Sequence, residues 1–428
     1  MNLFELTKLA KVDLPQTEEL LAAFIQKKFA LTVQVQINQS AVSLNSVNGT
    51  LILVDGEKMF FKFHAEEGEA ETQSEYYNGK ILAKHGFDII EPLYQSTDVG
   101  EQFLIYPYIT APTFFEVCDT LDAQYLSNNN YDESLKKSVL IAERNFCETC
   151  VKVAQKTFAV TSSDIVATEP IWQLFSTRLV SKNNEIPRLD LYYQNQKIQL
   201  PDGSEILFKD LANKKWIING RTFDQSLSEI IIQSKKIICS ESCKEWGTIV
   251  AHGDDHNGNK FFDQKKSSLT YFDPAFAGQN IPALLAFIKT IFHDTLAHPF
   301  WLYTPKKIDP ETKLDWTITE KSVVINHNVD LSVISPLRSD LLTIKLEYLL
   351  KPIVQMLRQK KLLPTNALDF IKKALFCCPF LVLNLINYQK YSPKMSLLAL
   401  SKAVEMGSLS DKDNSLDASL RDMFLPIS

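Results

Sequence analysis

The sequence predicts an α+β fold in two parts. A small antiparallel sheet with one helix occupies residues 1–108, and a larger, mainly helical part with an inserted β-hairpin occupies residues 109–428. Three observations predict it. Alternating apolar residues mark short strands at 33–37, 50–54 and 58–64, the last two joined by Asp55-Gly56, a strong hairpin turn. Helical periodicity dominates after residue 110, broken by strand patterning around Pro201-Asp202-Gly203. Between two short apolar strands, residues 252–259 concentrate carboxylates, an amide and glycines in one polar loop.

The bulk properties bound the rest. A chain of 428 residues suffices for one large two-part unit or for two to three domains. With a net charge of −6 and a pI near 5.8 it has no basic footprint, which argues against general nucleic-acid binding. The first residues carry charges throughout and do not read as a secretory signal. The longest apolar run, 375–386, contains Pro379 and Asn384 and is too short to span a bilayer. A cytoplasmic protein with neither nucleic acid nor membrane as partner is expected. Seven cysteines, an odd number, fit reduced thiols. Cys147/Cys150 and Cys239/Cys243 could make a zinc site, but both pairs sit in helical patterning without knuckle glycines, so buried free thiols are expected.

In chain order, Thr17 begins a helix whose apolar face is Leu20, Leu21, Phe24, Ile25 and Phe29. In the strand at 58–64, alternation puts Met59, Phe61 and Phe63 on one face and Phe60, Lys62 and His64 on the other. A lysine in so apolar a strand needs an anionic partner if buried; otherwise it is an outward edge residue. Residues 66–85 turn from acidic to helical and end at Gly86, a C-cap; 89–92 and 102–109 read as strands. A loop at 128–130 precedes a long helix at 132–159. The hairpin pairs 191–200 with 205–208, a strand follows at 215–220, and together they form an insertion of about 185–222. Residues 284–296 read as an amphipathic helix, 341–361, 366–374 and 395–406 as further helices, and the last dozen as loose.

The loop has a chemical logic. Asp254 and Asn259 are five apart, and Asp273 follows fourteen later. Phosphoryl transfer needs a carboxylate to orient a hydroxyl and accept its proton, and oxygen ligands to hold Mg²⁺ on the nucleotide phosphates. Asp254 suits the first task, Asn259 and Asp273 the second. A polar hairpin loop with solvated acids is the plain alternative. A metal hydrolase using His252, Asp254, Asp255 and His256 is another, but it leaves Asn259 and Asp273 unexplained. Asp255 is expected to be solvated.

His252, Gly253, Asp254, His256 and Asn259 resemble the H-G-D-x-H-x-x-N loop of the aminoglycoside phosphotransferase and choline kinase-like family, within the protein kinase-like superfamily. Asp273-Pro274-Ala275 resembles its fructosamine kinase-like members. The resemblance implies a bilobal protein kinase-like fold, ATP and Mg²⁺ as cofactors, and a small-molecule hydroxyl as acceptor. Lys62 would grip the nucleotide phosphates, paired with Glu75 or its rival Glu71. Asn48 and Gly49 would belong to the phosphate loop. The Pro107 carbonyl and the Ile109 N–H would read the base. Asp254 would be the catalytic base, and Asn259 and Asp273 the metal ligands. The insertion would be a rim over the acceptor, lined by Tyr192, Tyr193, Phe208 and Trp216, or a packing element.

There are departures from the family. Pro107 has no N–H, and the phosphate loop has a single glycine. Gly253 stands where protein kinases carry arginine, no Phe-Gly follows Asp273, and no Ala-Pro-Glu appears downstream, which disfavours a protein kinase. A nucleotide-binding module without turnover is the remaining alternative.

Overall fold

The computed structural model describes residues 3–10, 12–38, 46–64, 78–98, 100–182, 184–239, 244–297, 301–330, 335–412 and 414–424. The chain divides into two units, Met1–Pro112 with Thr270–Ala275, and Thr113–Leu269 with Phe276–Ser428. The fold class is α+β: a small antiparallel sheet lies in the first unit, and helices dominate the second.

In the first unit, strands β1 (Val33–Ile37), β2 (Ser46–Leu53), β3 (Lys58–His64), β4 (Tyr94–Ser96) and β5 (Phe103–Pro107) form one sheet in the order β1-β2-β3-β5-β4, every pair antiparallel. Helix α1 (Leu3–Leu9) precedes α2 (Leu14–Phe29). The second starts earlier than expected because Asp13 caps it, accepting from the Gln16 N–H at 3.1 Å, and Pro15 fits the first turn. Its Leu21, Phe24 and Ile25 pack on Val35, Leu51, Phe61, Phe63 and Phe103. The rings of Phe61 and Phe63 each stack on Phe103 at 5.6 Å, so alternation did assign the inward face of β3. Residues 89–92 do not form the expected strand. Ile89 alone bridges to Tyr271, and Pro92, lacking an N–H, precedes the short β4. Helix α3 (Asn78–His85) closes at Gly86 as expected; residues 65–77, with Glu71 and Glu75, lie outside the described residues.

The expected phosphate loop is corrected. Asn48 and Gly49 lie inside β2, with Asn48 opposite Lys62 and Gly49 opposite both Ile37 and Phe61. The Asn48 carbonyl accepts from the Asn38 N–H at 2.8 Å. A Cβ on Gly49 would sit 2.1 Å from the Gln36 carbonyl oxygen and 2.7 Å from the Phe61 ring. Gly49 thus lets two strands approach over an aromatic core. Gly49→Ala is expected to destabilise the protein by about 1–3 kcal/mol, read as a lowered unfolding midpoint. A midpoint equal to wild type would reject this packing role.

In the second unit, α4 (Phe114–Asn128) starts at a Thr113/Glu116 capping box and α5 (Glu133–Thr157) at Asp132. A three-stranded sheet places Glu245–Ala251 between Ala159–Ser162 and Gly278–Pro282. Residues 336–359 are helical throughout, with a wider π turn at Leu346–Leu350 just before Pro352, which cannot donate an N–H. Helices Ala367–Val382 and Pro393–Gly407 are buried along most of their length.

The insertion is also corrected. Its hairpin is shorter, pairing Lys197–Gln199 with Glu205–Leu207, and residues 191–193 end a helix, Arg188–Tyr193. Tyr193, Phe208 and Trp216 are buried and cannot line a rim. Tyr193 stacks on Phe380 at 4.1 Å. The strand Lys215–Ile218, which holds Trp216, pairs in parallel with Ser322–His327.

Two further expectations fail for the same physical reason. Residues 284–296 are not one amphipathic helix but turns followed by Ile288–Ile291 and a π turn at Phe292–Leu296. Lys289, Thr290, His293 and Asp294, spaced like an outward face, point into the interior. The last dozen residues read as loose in the sequence, but those described belong to a helix, Ser415–Phe424, with Leu416, Leu420 and Met423 buried and Asp417 paired to the buried Lys372 at 2.7 Å; residues 425–428 lie outside the described residues.

Among the described residues no helix is long and apolar enough to cross a membrane. Cys118, Cys147, Cys239, Cys377 and Cys378 are free thiols; Cys243 lies outside the described residues.

Candidate active site

The loop grows from the buried central strand Glu245–Ala251. Gly253 has φ +75°, and a Cβ there would meet the Phe276 carbonyl oxygen at 2.1 Å, so both the turn and the close approach require glycine. The Asp254 N–H donates to the His252 carbonyl at 2.9 Å. The chain then enters a 3₁₀ turn, Asn257–Asn259, in which the Asn259 N–H donates to the His256 carbonyl at 2.9 Å. The Asn259 side-chain amide donates from Nδ2 to the Asp254 carbonyl at 2.9 Å. That bond fixes the amide's orientation and leaves Oδ1 as the oxygen a cation would take. Asp254 and Asn259 are therefore joined directly.

The Asp254 carboxylate pairs with Lys289, and His256 Nε2 stands 3.7 Å from it. Burial opposes its ionisation, but Lys289, His256 and His252 outweigh that and hold the carboxyl well below the usual range. It keeps 18% side-chain exposure, enough to meet a substrate.

Asp255 is corrected from solvated to buried. Its carboxylate pairs with Lys260 at 2.6 Å, and both side chains are essentially inaccessible. Lys260 faces Asp294 at 3.7 Å, Asp294 faces Lys345 at 3.2 Å, and Lys345 pairs with Glu143 at 2.6 Å. Asp294 Oδ1 also accepts from the Asn257 N–H at 2.7 Å and Oδ2 from the Thr290 hydroxyl at 2.6 Å. Arg338, bound to Asp122 at 2.7 Å, donates to the Asp294 carbonyl at 2.7 Å. Burial disfavours charge at Asp294, yet Lys345 and Lys260 hold its carboxyl below the ordinary range. This interior network braces the loop through Asn257. Sequence reading missed Lys289, Asp294 and Lys345. Their only signal was a set of polar residues in apolar helices, which also describes a surface face.

The first unit carries the other expected residues. Lys62 Nζ pairs with Asp273 at 2.6 Å, joining residues 211 apart in sequence. Asp273 has φ +53°, left-handed backbone that aspartate tolerates better than most residues. The preceding Tyr271 holds this segment down: its N–H donates to the Asp88 carbonyl at 2.8 Å, and its carbonyl accepts from Ile90 at 2.8 Å. Pro107 ends β5 opposite Met59, and half-buried Ile109 follows two residues on.

No family model matches the chain, and no curated protein matches it. Among solved structures it is similar to spectinomycin phosphotransferase APH(9)-Ia in complex with ADP and spectinomycin, at 12% identity over 90% of this chain and 98% of that one, with a TM-score of 0.39. An amicoumacin kinase complex with AMP-PNP and Ca²⁺ gives 11%, 87%, 88% and 0.40 on the same measures. An ethanolamine kinase of Plasmodium vivax gives 9%, 91%, 83% and 0.36. These are distant likenesses.

Proposed function

We propose that this chain is an ATP- and Mg²⁺-dependent phosphotransferase acting on a hydroxyl of a small molecule in the cytoplasm. The observation that supports it most is the Lys62–Asp273 ion pair. The family resemblance assigns both residues to the same nucleotide, and they meet across 211 positions.

By ligand type, each residue would suit a hard cation: Asp273 offers a half-exposed carboxylate and Asn259 an amide oxygen, and nucleotide phosphates and water are the usual further ligands of Mg²⁺. Mg²⁺ there would offset charge on the phosphates. Lys62, now neutralised by Asp273, would turn to the phosphates once the carboxylate engages the metal. Pro107 and Ile109 would hold the base through one carbonyl and one N–H. Asp254, held ionised by Lys289, would orient the acceptor hydroxyl and take its proton. The strand geometry of Asn48 and Gly49 favours a second reading, a nucleotide-binding module without turnover, because these two residues pair within the sheet instead of looping over phosphates.

Nucleotide hydrolysis with a hydroxyl-metabolite screen on the purified protein with Mg²⁺ separates the two readings, since only the first gives acceptor-dependent turnover. Asp273→Ala is expected to abolish Mg²⁺-dependent ATP binding, because it removes the anionic ligand. Undiminished Mg·ATP affinity by calorimetry would move the metal elsewhere.

A further inference from the structure

One buried carboxylate of the second unit, Glu169, faces no cation. It is 7% exposed and stands just before the helix Pro170–Leu179, yet its side chain does not cap that helix. It makes no ion pair among the described residues; burial raises its carboxyl above the ordinary range, and bonds from Asn280 hold it back. A buried acid without a cation is costly unless other donors answer it. Oε1 accepts from the Asn280 N–H at 3.0 Å, and Oε2 lies so close over Gly278 that a Cβ there would stand 1.8 Å from it. The backbone of Glu169 is itself fixed: its N–H donates to the Val166 carbonyl and its carbonyl accepts from the Gln173 N–H, both at 3.0 Å.

These contacts fall on a slip in strand pairing. The strand Gly278–Pro282 runs antiparallel to Glu245–Ala251, with Ile281 opposite Ile249 and Gly278 opposite Ala251. The edge strand therefore carries one residue more than the central strand over this stretch, and such a bulge leaves backbone groups without a ladder partner and bends its strand. Glu169 takes the Asn280 N–H at the slip. Two residues before Gly278, Phe276 meets the base loop and its ammonium. The Phe276 carbonyl oxygen would stand 2.1 Å from a Cβ on Gly253, the neighbour of Asp254. The Phe276 ring lies 5.7 Å from Nζ of Lys289, which pairs with the Asp254 carboxylate. Wherever the bulge puts Phe276, both neighbours of the base must follow.

We infer that Glu169 is a positioning residue for the base: by holding the bulge at Gly278–Asn280 it sets Phe276 against Gly253 and Lys289, and so fixes the direction in which the Asp254 carboxylate points. Its effect on turnover rests on the proposed phosphotransferase reading, but the clamp itself does not. What Glu169 supplies is an accepting oxygen at the right reach, so a negative charge alone does not replace it.

The test has two arms. In the first, hydrogen exchange of nucleotide-free protein is followed by mass spectrometry. Glu169→Ala is expected to speed exchange in segments 252–259 and 276–280, while the sheet of the first unit exchanges as in wild type. Glu169→Gln, which keeps the accepting oxygen, should resemble wild type; Glu169→Asp, one methylene short, should resemble Glu169→Ala. Gly278→Ala, whose Cβ would displace Oε2, should do the same. In the second arm, ATP turnover with Mg²⁺ is measured on the same variants. Glu169→Ala and Glu169→Asp are expected to lower kcat about 10- to 100-fold with KM for ATP nearly unchanged, and Glu169→Gln to keep most of the activity. Melting curves identify the folded variants, and where Glu169→Ala does not fold, Glu169→Asp against Glu169→Gln carries the comparison. Local exchange changes in a protein whose wild type never turns over ATP would keep the clamp and reject the phosphotransferase. Wild-type turnover in folded Glu169→Asp would keep the phosphotransferase and reject the positioning role. Faster exchange spread evenly over the chain would make Glu169 a structural residue only and overturn the inference. Glu169→Gln as impaired as Glu169→Asp would overturn it too, because charge rather than reach would then be what matters.

Discussion

Asp254→Asn is expected to lower turnover by roughly 10²-fold or more while leaving nucleotide affinity nearly intact. The amide preserves the size of the side chain, and the Asn259 bond to residue 254 is to its backbone carbonyl, so the loop keeps its shape. What disappears is the charge that Lys289 and His256 sustain. An amide can still accept a hydrogen bond from the acceptor hydroxyl but cannot take its proton. Single-turnover kinetics with calorimetry on the same protein separates the two effects. Wild-type turnover in this variant would remove Asp254 from the base role.

Lys345→Met is expected to cost about 3–5 kcal/mol of stability, the usual penalty for stripping one partner from a buried ion network. Methionine fills similar space, so little of the loss comes from a cavity. Glu143 and Asp294 would lose their shared cation and be left with Lys260, itself already committed to Asp255. Asp294, which burial pushes up and Lys345 and Lys260 hold down, should then titrate higher in the folded chain than in the unfolded one. Stability from such groups is present at low pH and lost as pH rises through the folded value, so the deficit should be smaller at about pH 5 than at about pH 8. Thermal unfolding at both pH values checks this. A pH-independent deficit, or none, would mean that the network is not charged as described. Because Asp294 also holds the Asn257 N–H, activity should fall along with stability.

Much of the small sheet was legible because its signals are local. Asp55-Gly56 fixes a turn, and the alternation of Met59, Phe61 and Phe63 fixes a face, both within a few residues. Asp254 and Asn259 were legible for the same reason, five residues apart on one loop. The errors came where a residue's meaning depends on distant chain. Gly49 reads as loop until Gln36 and Phe61 press on it. Asp255 reads as solvated until Lys260 covers it. Lys289 and Asp294 repeat with the spacing of a wet helix face, and periodicity cannot tell water from a charged partner that comes from a distant stretch of chain. Tyr193 likewise reads as a rim residue until Phe380 stacks on it.

The passage of residues 270–275 back into the first unit has a practical consequence for dissecting the protein. The chain leaves that unit after Pro112, returns at Thr270 and leaves again after Ala275, so no single cut yields both units whole. A fragment ending at Pro112 would lack Tyr271, whose backbone meets Asp88 and Ile90, and would leave Lys62 without its carboxylate. A complementary fragment from Thr113 would carry Asp273 away from the strands that hold it. Expressed separately, the halves should be unstable and should recover only by exchanging that six-residue segment, as in complementation of a split protein. Permuting the termini, which leaves all three connections intact, would be the gentler way to probe how far each half folds by itself.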